Sequence, residues 1–447
     1  MEDTFENPPK TVAIRPLGGK LDCELHIPGG KSMANRVLLL AGMAEGTTDA
    51  SGIPDGDDSL AALSVLNALG IRTERLSDDT YRIHGCGHIV PNRSAELDIG
   101  SAGTVGRFLP GLLASAPDGE WRLVSTPQLA GRPLGPLLDS LRAWGADVTN
   151  EAEGKSFPLR IRATGLAGGD AAISAAASSQ FASGLMMAAP YAKRDARIGI
   201  AGLDPQELYI GATVEAMRHF GAEVETEQLP DRLAVSVAAT GKYLAKDICV
   251  EADLNAALNF LALPLLAGGN VRVSNVDGTT RQPGRQLLAL FPSLGAAVEK
   301  DKRGVRISSD GGKLRGGFDL DMRAMSESAL LLAVLAVNAD APVAMTNLGH
   351  IRNHETDRLE AISQLLHEFG VATEEGPDWV RVHPFPRERL KTPTIDSRGD
   401  HRVVMAFTLL ALAGNGATIT NADAVSKTFP RFFQKLRQIG ADITAIE

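Results

Sequence analysis

Pro28-Gly29-Gly30-Lys31-Ser32-Met33-Ala34-Asn35-Arg36-Val37-Leu38-Leu39-Leu40-Ala41-Gly42-Met43-Ala44 joins a glycine pair to a segment that is apolar nearly all round. A helix without a polar face has to be buried on every side. Five later segments read the same way: Val105–Ala114, Phe181–Ala192, Ala257–Ala267, Ala329–Ala339 and Val403–Ala413. All are short, so they predict buried helices of about three turns, with the sheets lying outside them.

Between these segments the chain repeats. Six amphipathic stretches end in glycine after an apolar or aromatic residue, at Gly70, Gly145, Gly221, Gly295, Gly370 and Gly440. Each glycine reads as the left-handed residue that ends a helix. Alternating return strands follow, in TYRIHG, PLRIRATG, LAVSVAATG, GVRISSDG and WVRVHP. The period of 70 to 76 residues predicts six βαβαββ repeats, three to a domain. The sixth repeat is incomplete, because only Ala441–Glu447 follow Gly440, and the N-terminus supplies what it lacks in Thr11–Leu17 and Lys20–Pro28. The expected architecture is therefore a two-domain, inside-out α/β prism with parallel buried helices. One domain is 29–250; the other is 251–447 completed by 1–28.

Composition narrows the function. With 447 residues, 44% hydrophobic and 22% charged, the chain has the profile of an ordinary globular protein long enough for two domains. A net charge of −9 disfavours nucleic acid and membrane surfaces as partners, so any anion would bind in a local basic pocket. Three scattered cysteines, no leader-like N-terminus and no apolar run of membrane length predict a cytoplasmic protein.

The predicted starts of the buried helices carry polar residues a core would not choose. They are Lys31, Ser32 and Arg36; Ser101, Gly103, Thr104 and Arg107; Ser178, Ser179 and Gln180; Asp253 and Asn255; Ser326, Glu327 and Ser328; and Asp400, His401 and Arg402. Capping accounts for Ser and Asp. Lys and Arg are unfavourable at a helix N-terminus unless an anion offsets them, so the pattern points to a shared anionic ligand. Arg132, Lys427 and the polar run His350–Leu359 add charge from loops. Within that run Glu355 and Asp357 suit a first helical turn, and Arg358 can pair with either. His350 and His354 are four apart, but without a third spaced ligand they make a poor metal site.

Eight motifs, in order and at matching spacing, resemble the 5-enolpyruvylshikimate-3-phosphate synthase family along nearly the whole chain. They are GGKSMANR at Gly29, DGDD at Asp55, SAGTVGRF at Ser101, GRPLGPLLDSL at Gly131, SSQFASGLMMAAP at Ser178, HETDRLEAI at His354, DHRVVMAF at Asp400 and SKTFPRFF at Ser426. The resemblance implies attack of the 5-hydroxyl of shikimate 3-phosphate on phosphoenolpyruvate and loss of phosphate from a tetrahedral adduct, by a monomer needing neither metal nor organic cofactor. By the same resemblance Lys31, Ser32, Arg36, Ser178, Ser179, Gln180, Gln206, Tyr209, Glu327, His350 and His354 would hold shikimate 3-phosphate. Lys31, Gly103, Arg132, Gln180, Arg358, Arg402 and Lys427 would hold phosphoenolpyruvate. Lys31, Glu327 and Glu355 would be catalytic, with Glu327 taking the hydroxyl proton and Glu355 serving the methylene carbon. Because these groups come from both domains, closure of the two is expected to complete the site. Gly103 leaves room beside phosphoenolpyruvate, so Gly103→Ala is expected to weaken inhibition by the herbicide glyphosate.

Five positions depart from the common family pattern. Glu327 stands for Asp, His354 for Lys, His350 for Asn, Ser101 for Asn and Gln206 for Ser. The Glu and His choices together resemble a branch of the family, while Gln206, Ser101 and Glu327 keep open a homologue that binds the anions without turnover. The related UDP-N-acetylglucosamine enolpyruvyl transferases usually carry a Lys-Asn pair and a loop cysteine; here Ser32 follows Lys31 and 125–133 holds no cysteine.

Overall fold

The computed structural model describes residues 7–203, 207–280, 282 and 284–446. The chain divides into two compact units, Gly29–Val250 and Met1–Pro28 with Glu251–Glu447. Among the described residues the strands form six four-stranded sheets, three in each unit.

Every sheet has one plan: a parallel pair, then two antiparallel neighbours. In one of them Leu21–Leu25 runs parallel to Gly269–Val273, which pairs antiparallel with Gly304–Ser309, and that strand pairs antiparallel with Ala297–Asp301. The N-terminal strand Thr11–Ile14 lies between Ala417–Thr420 and Ile443–Ala445. Residues 11–25 therefore complete two sheets of the unit that contains the C-terminus. In the other unit Ile248–Cys249 runs parallel to Glu45–Ser51.

The strands alternate buried and exposed side chains, as in Leu159–Arg162, where Leu159 and Ile161 point inward. Inside the sheets lie the apolar helices, and all of Gly103–Ser115 and all of Ala329–Ala336 are buried. The six glycines that end the amphipathic helices have φ between 80° and 109°, a region where a side chain would be strained. Two tyrosines close the far ends of buried helices: Tyr191 donates its hydroxyl to the Met43 carbonyl at 2.6 Å, and Tyr243 donates to that of Met187 at 2.9 Å.

Local details differ from the sequence expectation. The fourth buried helix breaks into Leu254–Leu261 and Leu263–Ala267, because Pro264 has no N–H to continue the ladder. Ser326, Glu327 and Ser328 lie on a 3-10 turn, Arg323–Ser328, ahead of the helix Ala329–Ala336. Glu355 and Asp357 likewise precede the helix Arg358–Glu368, and Asp357 is its N-cap. Gly29 is required for packing: a Cβ there would strike the carbonyl of Gly52, to which the Gly29 N–H donates.

Candidate active site

Each unit gathers its own cluster of the expected residues. In Gly29–Val250 the three buried helices Lys31–Met43, Gly103–Ser115 and Gln180–Ala188 start at Gly30, Ala102 and Ser179, none of which caps its helix with a side chain. None of the three has an acidic residue in its first turn. Each start therefore keeps its partial positive charge.

Full charges stand beside these starts. Lys31 Nζ lies 3.2 Å from Asp58 Oδ2, and Asp58 is itself buried on the first turn of Asp57–Ala68. Arg36 is 0% exposed and spends its five N–H groups on oxygens of the protein. Nε donates to Thr213 Oγ1 at 2.8 Å, one terminal nitrogen to the carbonyl and hydroxyl of Ser32 at 2.7 and 2.6 Å, and the other to Ser183 Oγ and the Tyr209 carbonyl, both at 3.2 Å. All these acceptors are neutral, so burial pushes the guanidinium down to about 10. Arg36 orients Ser32 and raises the local potential, and an anion would reach it only by displacing one of these neutral acceptors.

Arg107 is 3% exposed and donates to the carbonyls of Gly103 at 2.9 Å and Pro133 at 3.3 Å, while its buried Nε has no acceptor. Burial, and then the neighbouring Arg132, push it down to about 9. Both guanidinium tips approach Gly103. Two cations beside an uncapped helix start make a cradle for a phosphate or carboxylate. Ser178 Oγ accepts from the Gln180 N–H at 3.3 Å, Ser179 is buried, and Gln180 Oε1 is buried without a donor. Gln206 lies outside the described residues.

The second cluster is organised by Arg358, 2% exposed at the start of its helix. It donates to both oxygens of Asp400, at 2.8 and 3.3 Å, to Glu355 Oε2 at 3.0 Å, to Glu327 Oε2 at 3.4 Å and to His354 Nδ1 at 3.0 Å. Burial works against its charge, yet Asp400, Glu327 and Glu355 raise its pKa above the ordinary value. Arg402 pairs with Glu327 Oε2 at 2.7 Å, and Lys427 with Glu355 Oε1 at 3.0 Å. Burial would push Glu327 up, but Arg402 and Arg358 outweigh it and hold the carboxyl at about 2. Burial lowers both His350 and His354. His350 Nε2 lies 2.9 Å from Ser326 Oγ. Because a guanidinium only donates, His354 accepts through Nδ1 and carries its proton on Nε2.

Sequence reasoning read Asp400 as a helix cap, which it is, and Arg107 as one of the charges at a helix start, but gave neither of them, nor Asp58, a partner or a place in the site. Their signals were present, since Asp58 closes DGDD, Arg107 follows Gly103 by one helical turn, and Asp400 immediately precedes the sixth buried helix. What was missing was the partner, because Asp400 meets Arg358 across 42 residues of chain.

The model of the EPSP synthase (3-phosphoshikimate 1-carboxyvinyltransferase) family matches residues 17–436. A relative named 3-phosphoshikimate 1-carboxyvinyltransferase 2, from Halalkalibacterium halodurans, is 35% identical over 434 residues, covering 97% of this chain and 95% of its own. The 3-phosphoshikimate 1-carboxyvinyltransferase of Shewanella denitrificans is 37% identical, covering 96% and 99%. An EPSP synthase structure from Acinetobacter baumannii aligns with a TM-score of 0.85 at 23% identity over 97% of this chain and 99% of that one, which shows a shared fold. With motif order, sheet plan and whole-length similarity in agreement, the chain belongs to the EPSP synthase family.

Proposed function

We propose that the protein transfers the enolpyruvyl group of phosphoenolpyruvate to the 5-hydroxyl of shikimate 3-phosphate, in aromatic amino acid biosynthesis. In the addition step O5 bonds to C2 of phosphoenolpyruvate, Glu327 takes the hydroxyl proton, and Glu355, which takes up a proton from solvent once the substrate draws Arg358 and Lys427 away from it, delivers that proton to the methylene carbon. In the elimination step the C2–O bond to phosphate breaks, the leaving phosphate oxygen takes the proton held by Glu327, and a methyl proton returns to Glu355, which restores the double bond and both side chains. Lys31, Ser32, Arg36, Ser178, Ser179, Gln180 and Tyr209 hold shikimate 3-phosphate, together with Gln206, His350 and His354. Lys31, Gly103, Arg132, Gln180, Arg358, Arg402 and Lys427 hold phosphoenolpyruvate. The protein works as a cytoplasmic monomer without metal or organic cofactor.

The observation that carries this reading is the joining of Glu327 and Glu355 to the same buried guanidinium, Arg358, with a second cation on each. Anionic substrate groups that engage Arg402 and Lys427 release two carboxylates at the reacting atoms, where proton transfer is needed. Phosphate release by the purified protein tests it. Release should need both substrates and fall about a hundredfold or more in Glu355→Ala and Lys31→Ala. Release from phosphoenolpyruvate alone, or undiminished release in both variants, would reject the assignment.

Gly103→Ala has a defined expected effect. A Cβ there would come 2.8 Å from one terminal nitrogen of Arg107 and 3.3 Å from one of Arg132. Both are ends of flexible side chains, and Ala favours the helix, so the fold survives and the guanidinium groups move. The KM for phosphoenolpyruvate should rise about tenfold with the thermal midpoint unchanged. An unaltered KM would show that this helix start does not meet that substrate.

A further inference from the structure

Between the 3-10 turn Gly349–Asn353 and the helix Arg358–Glu368, residues 354–357 carry His354 and Glu355. The ends of this connection are tied by one side chain that the proposed reaction does not use. Arg352 donates to Asp357 Oδ2 at 2.8 Å, to Glu375 Oε1 at 2.6 Å, and to the carbonyls of Gly376 at 2.7 Å and Pro377 at 2.9 Å. The other oxygen of Asp357 accepts the Glu360 N–H at 3.0 Å and caps the helix that begins with Arg358. One guanidinium therefore closes 352–357 into a ring and pins that ring to the turn after Thr373–Glu375.

We propose that Arg352 is a positioning residue for turnover: its clasp on Asp357, Glu375, Gly376 and Pro377 holds His354, Glu355 and Arg358 in the arrangement the reaction uses. The inference rests on the proposed assignment of Glu355 as the proton-moving group. A connection closed at both ends samples far fewer conformations than an open one. A catalytic group displaced by about 1 Å loses about a hundredfold in rate. Lysine cannot replace the clasp, because one ammonium cannot reproduce a planar fork that serves four acceptors. A bare partly exposed ion pair, by contrast, contributes little to stability and nothing to rate.

Two variants separate these roles. Arg352→Lys removes the fork. Asp357→Asn keeps an N-cap, since Asn caps as well as Asp, but turns a carboxylate oxygen facing Arg352 into a neutral amide. In both, kcat should fall about tenfold to a hundredfold, with each KM within about threefold of wild type and the thermal midpoint within a few degrees. Millimolar methylguanidine should restore part of kcat to Arg352→Ala and none to Glu355→Ala. Amide hydrogen exchange over 353–357, which needs no turnover, should quicken in both variants. An active wild type with variants of unchanged kcat would overturn the proposal, as would parallel losses of kcat, substrate affinity and thermal midpoint. Should the wild type release no phosphate, the reaction assignment fails instead, and unchanged exchange over 353–357 would overturn the clasp independently.

Discussion

Arg358→Met is expected to destabilise the protein at neutral pH by about 3–5 kcal/mol, because it leaves Asp400, 0% exposed, as a buried carboxylate without its cation. For a unit of this size that is a fall of several degrees to more than ten in thermal midpoint. The pH dependence gives the cause a signature. In the wild type burial alone would push Asp400 up, but Arg358 and His401 hold it below its ordinary value. Its pairing therefore contributes stability above the unfolded carboxylate pKa, near 4, and the contribution fades as pH falls through the lowered value. In the variant the sign reverses, since an unpaired buried carboxylate binds its proton more tightly folded than unfolded. The gap between the two proteins should be widest near neutrality and narrow towards about pH 4. Melting curves at both pH values decide the matter: a midpoint within about 2 °C of wild type at pH 7, or an equal deficit at both, would show that Asp400 does not depend on Arg358. Turnover should fall about a thousandfold, since the same guanidinium holds Glu355 and Glu327.

The sheets and helices were legible because burial leaves a periodic trace. Leu38, Leu39 and Leu40 can be consecutive in a helix only where no side faces water, and all three are 0% exposed. Gly70 and its five counterparts mark helix ends because no other residue adopts their backbone cheaply. That Thr11–Ile14 pairs with a strand more than 400 residues later was readable from the truncated sixth repeat. Breaks inside helices were not, since Pro110 lies within Gly103–Ser115 whereas Pro264 begins a new segment after Ala262. Both prolines lack an N–H, so the residue alone does not tell a helix that continues from one that breaks.

The candidate site was legible as composition and illegible as pairing. Lys31, Arg358 and Arg402 point to an anion site by standing where helices begin, and Lys427 adds its charge from the end of a 3-10 turn, but their carboxylate partners come from distant segments. The same charge therefore has different meanings. Arg36, surrounded by hydroxyls and carbonyls, keeps its positive field, whereas that of Arg402 is offset by Glu327. Spacing along the chain cannot separate these two cases, because the acceptors that decide them, Thr213, Ser183 and Glu327, lie about 70 to 180 residues away.

That cancellation leads to an opposite pair of effects from one substitution. Glu327→Gln is expected to bind phosphoenolpyruvate about tenfold more tightly and to turn it over about a hundredfold or more slowly. Glu327 Oε2 sits 2.7 Å from Arg402 and 3.4 Å from Arg358, and on the proposed assignment it occupies donors that the substrate's carboxylate and phosphate would engage. Binding has to break those ion pairs, and a neutral amide of the same shape removes the competitor while deleting the base. Displacement also changes the proton inventory. Glu327 is held at about 2 while Arg402 and Arg358 face it; once the substrate engages them, burial and the nearby Glu355 push the carboxyl up. Substrate binding should therefore take up more protons in the wild type than in Glu327→Gln at about pH 5, as read by calorimetry in buffers of different ionisation enthalpy. The difference between the two proteins is the informative quantity, because His350 and His354 face the same cluster and add their own uptake to both. Equal proton uptake, or weaker phosphoenolpyruvate binding in the variant, would mean that Glu327 never leaves Arg402 and that the hydroxyl proton goes to another group.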